Sequence, residues 1–167
     1  NNPALLAQLQ NMPGHAGTVT PNVPPPGIAE GDPEFKDQWW VEAIRAKEAW
    51  EHATGEGVVI ADCDAGYYIT ESDIQSNLMM EYAFDAADAD NPTKVDDGGF
   101  VSHGTSVTAI MAGVMNEQGT NGIAYNARVI PLQNYNYDDS LDDLGKEEAT
   151  AKCILKAIEI GMADIIV

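Results

Sequence analysis

Between Gly57 and Gly66 the chain reads Gly-Val-Val-Ile-Ala-Asp-Cys-Asp-Ala-Gly, and this stretch restricts the fold more than any other. Val58, Val59, Ile60 and Ala61 are apolar on both sides of an extended chain. A strand of that kind needs cover on both faces, which is the situation of a parallel strand sandwiched between helices. It ends in Asp62-Cys63-Asp64-Ala65-Gly66, so polar groups gather at the carboxyl end of a buried strand, where open parallel sheets form their crevices.

The segments that follow alternate in the same sense. Met80 to Phe84 is a second candidate strand, followed by an acidic loop with Asp85, Asp88, Asp90, Asp96 and Asp97. From His103 onward Val107, Ile110, Met111 and Val114 recur at i, i+3, i+4 and i+7, which predicts a helix with those residues as its apolar face. Ala127 to Leu132 reads as another strand, residues 145–160 as a helix with Ile154, Ala157 and Ile158 inward, and Asp164 to Val167 as the beginning of a further strand. The expected class is α/β, doubly wound, with a mainly parallel sheet and helices on both faces. Because the chain stops inside an apolar strand without a turn signal, the fold is expected to be incomplete in this chain.

Ahead of this pattern, residues 1–31 carry Pro3, Pro13, Pro21 and Pro24-Pro25-Pro26 without a sustained period, and read as an extended arm; residues 32–167 form the globular part. There Trp40, Ile44, Lys47 and Ala49-Trp50 lie in a segment free of Gly and Pro, which predicts a short helix that buries the indoles before Gly55 and Gly57 end it.

Charge excludes partners more sharply than it names them. Eight Lys and Arg against 27 Asp and Glu leave a net charge of −19, too acidic for a chain that must neutralise phosphates, so neither nucleic acid nor an anionic membrane is an expected partner. No apolar run approaches the roughly 18 residues of a membrane span. The two cysteines, Cys63 and Cys153, each sit in an apolar segment and read as free buried thiols.

The carboxyl ends of neighbouring parallel strands converge on one crevice, so Asp64 and the later His103 are expected to meet there. Gly104 and Thr105 allow a tight helix start, and the positive end of the helix dipole disfavours imidazolium, which suits a resting base. Asp62 and Asp64 alternate onto the same side of the strand, where two carboxylates would couple.

In this setting the residues resemble the subtilisin-like serine peptidases from about Asp32 to Val167. Asp32-Pro33, Gln38-Trp39-Trp40, Ala49-Trp50 and Gly55-Glu56-Gly57-Val58 look like that family's opening segment. Val59 to Gly66 matches the strand of its catalytic acid, with Asp73-Ile74 for the usual Pro-Asp-Leu ending, and His103-Gly104-Thr105-Ser106-Val107-Thr108-Ala109-Ile110-Met111-Ala112-Gly113 matches its histidine helix. Gly122-Ile123-Ala124, Ala127 to Leu132 and Gly161 to Ile166 match the elements that follow.

The resemblance implies a subtilisin-like fold and a serine endopeptidase working through a Ser-His-Asp triad, with His103 as general base and Asp64 as the acid that orients it. Asp64, directly before Ala65-Gly66, is the expected acid and Asp62 the possible substitute; Ala65 stands where the family has Ser or Thr. The family's serine and oxyanion-hole asparagine lie in segments this chain does not contain, and Ser106 is read as a packing or capping hydroxyl. The chain alone is thus expected to be inactive, its partners being a polypeptide substrate and the serine-bearing remainder.

The same resemblance implies structural calcium, held by Asp32, Asp73 and Asn116 with the carbonyls of Val114, Gln118 and Thr120, and at a second, weaker candidate made of Asp85, Asp88 and Asp90. It further implies secretion, and substrate pairing as an added strand along residues 134–143. Two rival readings stand beside it. Four apolar residues followed by Asp62-x-Asp64 also resemble the first motif of haloacid-dehalogenase-like phosphatases, which use magnesium. Alternatively the chain is a non-catalytic peptidase-like fragment that binds a partner.

Overall fold

A computed structural model describes residues 32–86, 88, 103–134 and 143–167. The arm at residues 1–31 lies outside the described residues. Two short helices, α1 (Trp39–Ala43) and α2 (Ala46–Trp50), lead into strand β1 (Val59–Asp64). Strand β2 (Phe84–Asp85), helix α3 (His103–Ala112), strand β3 (Arg128–Gln133), helix α4 (Asp143–Ile160) and strand β4 (Ile165–Ile166) follow. The sheet order is β2-β3-β1-β4 with every pairing parallel.

Strand β1 is central, and its alternation divides the core in two. Ile60 packs with Ile74, Leu78, Val129 and Ala112 of α3 on one face. Ala61 packs with Met79, Ile130, Leu132 and Cys153 and Ala157 of α4 on the other. The expected α/β class with helices on both faces is therefore the observed one. Each fully buried Leu or Ile here contributes roughly 1.5–3 kcal/mol. A third cluster gathers Phe35, Val41 and Trp50 against Tyr125, and the Trp50 indole donates to the Ile123 carbonyl at 2.7 Å.

Several expected details are corrected. The single opening helix is two, because Arg45 takes a left-handed conformation, φ 58°, between them; of the two indoles Trp50 is buried and Trp40 half-buried. Met80–Tyr82 is a 3-10 turn, and strand pairing there is confined to Phe84–Asp85 and a bridge from Leu78 to Val129. An apolar run of that length does not by its period distinguish strand from turn.

Both large helices bury small residues where bulky ones were predicted. On α3 the buried positions are Gly104, Thr108 and Ala112, spaced by four, while Ile110 is 53% exposed. On α4 they are Ala149, Cys153 and Ala157, so Ala157 is inward as predicted, but Ile154 is exposed and Ile158 is 64% exposed. The cause is proximity: α3 lies so near the end of β1 that a Cβ on Gly104 would sit 2.6 Å from the Gly66 carbonyl oxygen.

The carboxyl end of α3 is closed by the next segment. Gly122, Ile123 and Ala124 donate their N–H groups to the carbonyls of Gly113, Ile110 and Met111, and the Asn77 amide reaches the Ala112 carbonyl at 2.8 Å. These bonds satisfy carbonyls that a helix leaves orphaned. A Cβ at Gly122 would overlap backbone atoms of Gly113 and Ala112, which have no flexible end to yield. Gly122→Ala is expected to lower stability by about 3 kcal/mol in urea unfolding; an unchanged midpoint would mean that the two segments do not approach so closely.

Candidate active site

Strand β1 and helix α3 together build the site. Gly66, with φ 69°, turns the chain sharply after β1. The close approach at Gly104 then sets the first residue of α3 above the end of the strand, and the Tyr68 N–H donates to Thr105 Oγ1 at 2.7 Å to hold it there. As a result His103 Nδ1 lies 2.7 Å from Asp64 Oδ1 and 2.9 Å from Oδ2.

Asp64 is 11% exposed at its side chain and His103 is 65% exposed. The Ala65 N–H also donates to Asp64 Oδ1, at 2.5 Å, so the carboxylate is oriented from its own backbone as well as by the imidazole. A carboxylate only accepts hydrogen bonds, so the hydrogen of a neutral ring sits on Nδ1 and Nε2 is left as the basic nitrogen. The arrangement is a base on the open side of the molecule with its tautomer fixed from beneath.

Asp62 is placed differently, although it shares a strand face with Asp64. Its carboxyl is 1% exposed and accepts the Thr108 hydroxyl at 2.9 Å, while the buried Tyr67 hydroxyl donates to the Asp62 carbonyl at 2.6 Å. Burial pushes the Asp62 carboxyl up to about 7; bonding from Thr108 opposes that rise, and the neighbouring charge of Asp64 adds to it. Burial also raises the Tyr67 hydroxyl, helped by Asp62 and Asp64. Of the two carboxylates only Asp64 meets the imidazole directly.

Thr108 and Tyr67 take part in this geometry without having been singled out in the sequence. The signal for Thr108 was its spacing: with Gly104 and Ala112 it forms a stripe of small residues at i, i+4 and i+8, the face of α3 turned to the sheet. Ser106, by contrast, is exposed on α3.

The residues expected to hold calcium gather around the loop after α3. Asp32 accepts the N–H groups of Asn116 and Glu117 and the side-chain amide of Asn121, and Asp73 accepts Thr120 through its N–H at 2.8 Å and its hydroxyl at 3.1 Å. Asn116 donates to the Ser72 carbonyl and accepts the Gln118 N–H, and Val114 donates its N–H to the Asp73 carbonyl. Asp73, Asn116 and the carbonyls of Val114, Gln118 and Thr120 are all oxygen donors of the hard kind calcium takes. Asp32 serves the loop as an acceptor of N–H donors. Among the described residues no group of three His, Cys, Asp or Glu side chains could hold a metal, so calcium here would depend on amide and carbonyl oxygens. In the second candidate Asp85 is buried, accepting the Gln133 amide at 3.0 Å and the Asp88 N–H at 3.0 Å, and Asp90 lies outside the described residues. The expected substrate-pairing segment lies outside them as well, apart from Asn134 and Asp143.

A family model described as the subtilase family, Peptidase S8, matches residues 55–164, more than half of the chain. The chain belongs to the subtilase family. It is 37% identical over 102 residues to the extracellular serine protease of Aeromonas sobria, covering 59% of this chain and 16% of that protein. Fervidolysin of Fervidobacterium pennivorans is 29% identical over 103 residues, covering 61% of this chain and 15% of that one. The fold also matches the crystal structure of MycP1 from Mycobacterium smegmatis with a TM-score of 0.60 at 24% identity, over 89% of this chain and 38% of that one. The chain thus spans well under a quarter of either of those two proteases. Within this subtilase sheet Asp62 is, with Asp85 and Gln133, one of the buried polar side chains of the strands.

Proposed function

We propose that the chain supplies the acid and the base of a serine endopeptidase that hydrolyses peptide bonds of polypeptide substrates. The observation that carries this reading is the Asp64–His103 pair, bonded at 2.7 Å with the imidazole facing solvent. In this role His103 Nε2 takes the proton of a serine hydroxyl as it attacks the scissile carbonyl and returns it to the leaving amine, and Asp64 stabilises the imidazolium formed between the two steps.

The serine and the oxyanion hole come from a serine-bearing part of the peptidase. Support for its docking comes from large apolar side chains left open: Ile165, Ile166 and Val167, and Leu155 and Ile158 of α4. Large exposed apolar surface marks places that meet another protein surface. Hydrolysis of unfolded casein is expected when the chain is combined with the serine-bearing part, and none from the chain alone. Activity of the combination that resists a serine-directed phosphonylating reagent would overturn the reading.

The phosphatase reading fails on burial. A carboxylate that is 1% exposed and bonded to Thr108 has no path to a phosphorus atom, so Asp62 is not a nucleophile.

Calcium belongs to the proposal as a structural ion at Asp32, Asp73, Asn116 and the carbonyls of Val114, Gln118 and Thr120, where it would add positive charge to a carboxylate-bearing loop. Saturating calcium is expected to raise the melting temperature by about 5 °C over that in chelator, since a ligand of the folded state must stabilise it. Identical melting curves in both conditions would remove the ion from the account. Secretion is proposed too, supported by relatives named as extracellular proteases, although one from Paenibacillus polymyxa is named intracellular. No helix among the described residues is long and apolar enough to cross a membrane.

A further inference from the structure

The face of β1 opposite Asp62 and Asp64 carries Cys63, which packs into the same cluster as Cys153 of α4. Cys63 pairs in register with Leu132, and Cys153 Sγ donates to the carbonyl of the next residue, Gln133, at 3.3 Å. The two thiols thus lie on the same side of the sheet at the same level, one on the strand and one on the helix that covers it. Both are free thiols, Cys153 buried and Cys63 half-buried. From this placement we propose that Cys63 and Cys153 are an exchange-competent dithiol, which a small-molecule disulfide of the glutathione class converts into a bond tying α4 to the strand that bears Asp64.

The chemistry divides the roles. The Cys153 thiol holds the Cys63 thiol below its ordinary range, against the opposing effects of burial and the charges of Asp62 and Asp64. Cys63, the more accessible and more readily ionised, is the attacking sulfur. Its thiolate attacks one sulfur of oxidised glutathione, forming a mixed disulfide and releasing one glutathione thiolate. The Cys153 thiol is held protonated chiefly by the neighbouring Cys63 and by burial. Capping Cys63 removes that restraint, and Cys153, once its proton passes to solvent, attacks Cys63 Sγ and expels the second glutathione. Two protein thiols are oxidised to one disulfide while one glutathione disulfide is reduced to two thiols, and the two protein protons are taken up by the departing thiolates. The proposal is independent of the peptidase reading, because it concerns packing behind β1 and uses neither His103 nor a serine.

The test is a glutathione redox titration of the full chain, quenched by alkylation and read by mass spectrometry and peptide mapping, in native buffer and in urea. The native chain is expected to lose both alkylatable thiols together and to give a peptide joining Cys63 to Cys153. Half-conversion should need about tenfold less oxidised over reduced glutathione than in urea, because the fold holds the thiols together. Cys153→Ser is expected to stop at the mixed disulfide on Cys63. A wild-type chain that retains glutathione on Cys63, bridges between two chains, or cross-links equally readily in urea would overturn the proposal. The wild-type result is decisive even if a variant fails to fold.

Discussion

Asp64→Asn is expected to lower kcat about 10⁴-fold in the peptidase combined with its serine, with KM little changed. The Ala65 N–H donates to Asp64 Oδ1, so the carboxamide oxygen of Asn is held at that position. Its amino group then occupies the Oδ2 position, 2.9 Å from Nδ1, and donates to it. That forces the ring hydrogen onto Nε2 and blocks the nitrogen that must accept the serine proton. Steady-state kinetics on a peptide substrate check the result. A variant within tenfold of the parent would show that Asp64 does not orient the base, and would return Asp62 to consideration.

Asp62→Asn is expected to act on stability instead, and in a pH-dependent way. The folded chain holds the Asp62 carboxyl at about 7, against an ordinary value of 3.8. Below about pH 4 both folded and unfolded chains carry the proton, and the group is neutral in the balance. As pH rises from about 4 to 7 the unfolded chain releases the proton while the folded one keeps it, so stability falls progressively, and above about 7 the loss is complete. Asn cannot ionise, yet its carbonyl can still accept the Thr108 hydroxyl. The variant should therefore match the parent near pH 4 and exceed it at pH 8 by about 2–4 kcal/mol in urea unfolding. Parallel stability curves for the two proteins across this range would show that Asp62 titrates as an ordinary carboxyl.

These two substitutions separate the carboxylates that the chain places two residues apart. In sequence they were hard to distinguish, since both follow an apolar run and both face one side of a strand. Direct precedence to Ala65-Gly66 favoured Asp64, and it is Asp64 that meets His103 in the structure. The distinction lies in position along the strand: Asp62 is one pleat deeper, under Thr108, while Asp64 reaches the rim where α3 begins.

Periodicity along one chain decided a good deal without help. Four successive residues apolar on both faces required a strand covered on each side, and the sheet has β1 between β3 and β4 with helices packed on either face. The motif around His103 named the residue that completes the pair. What the chain alone did not hold is how near its segments come to one another. Helix α3 turns Gly104, Thr108 and Ala112 to the sheet because little room is left between its start and the end of β1, and α4 turns Ala149, Cys153 and Ala157. The buried face of α3 and the seat of Asp62 beneath Thr108 follow from that spacing, which is a property of two packed surfaces and is written in neither of them singly.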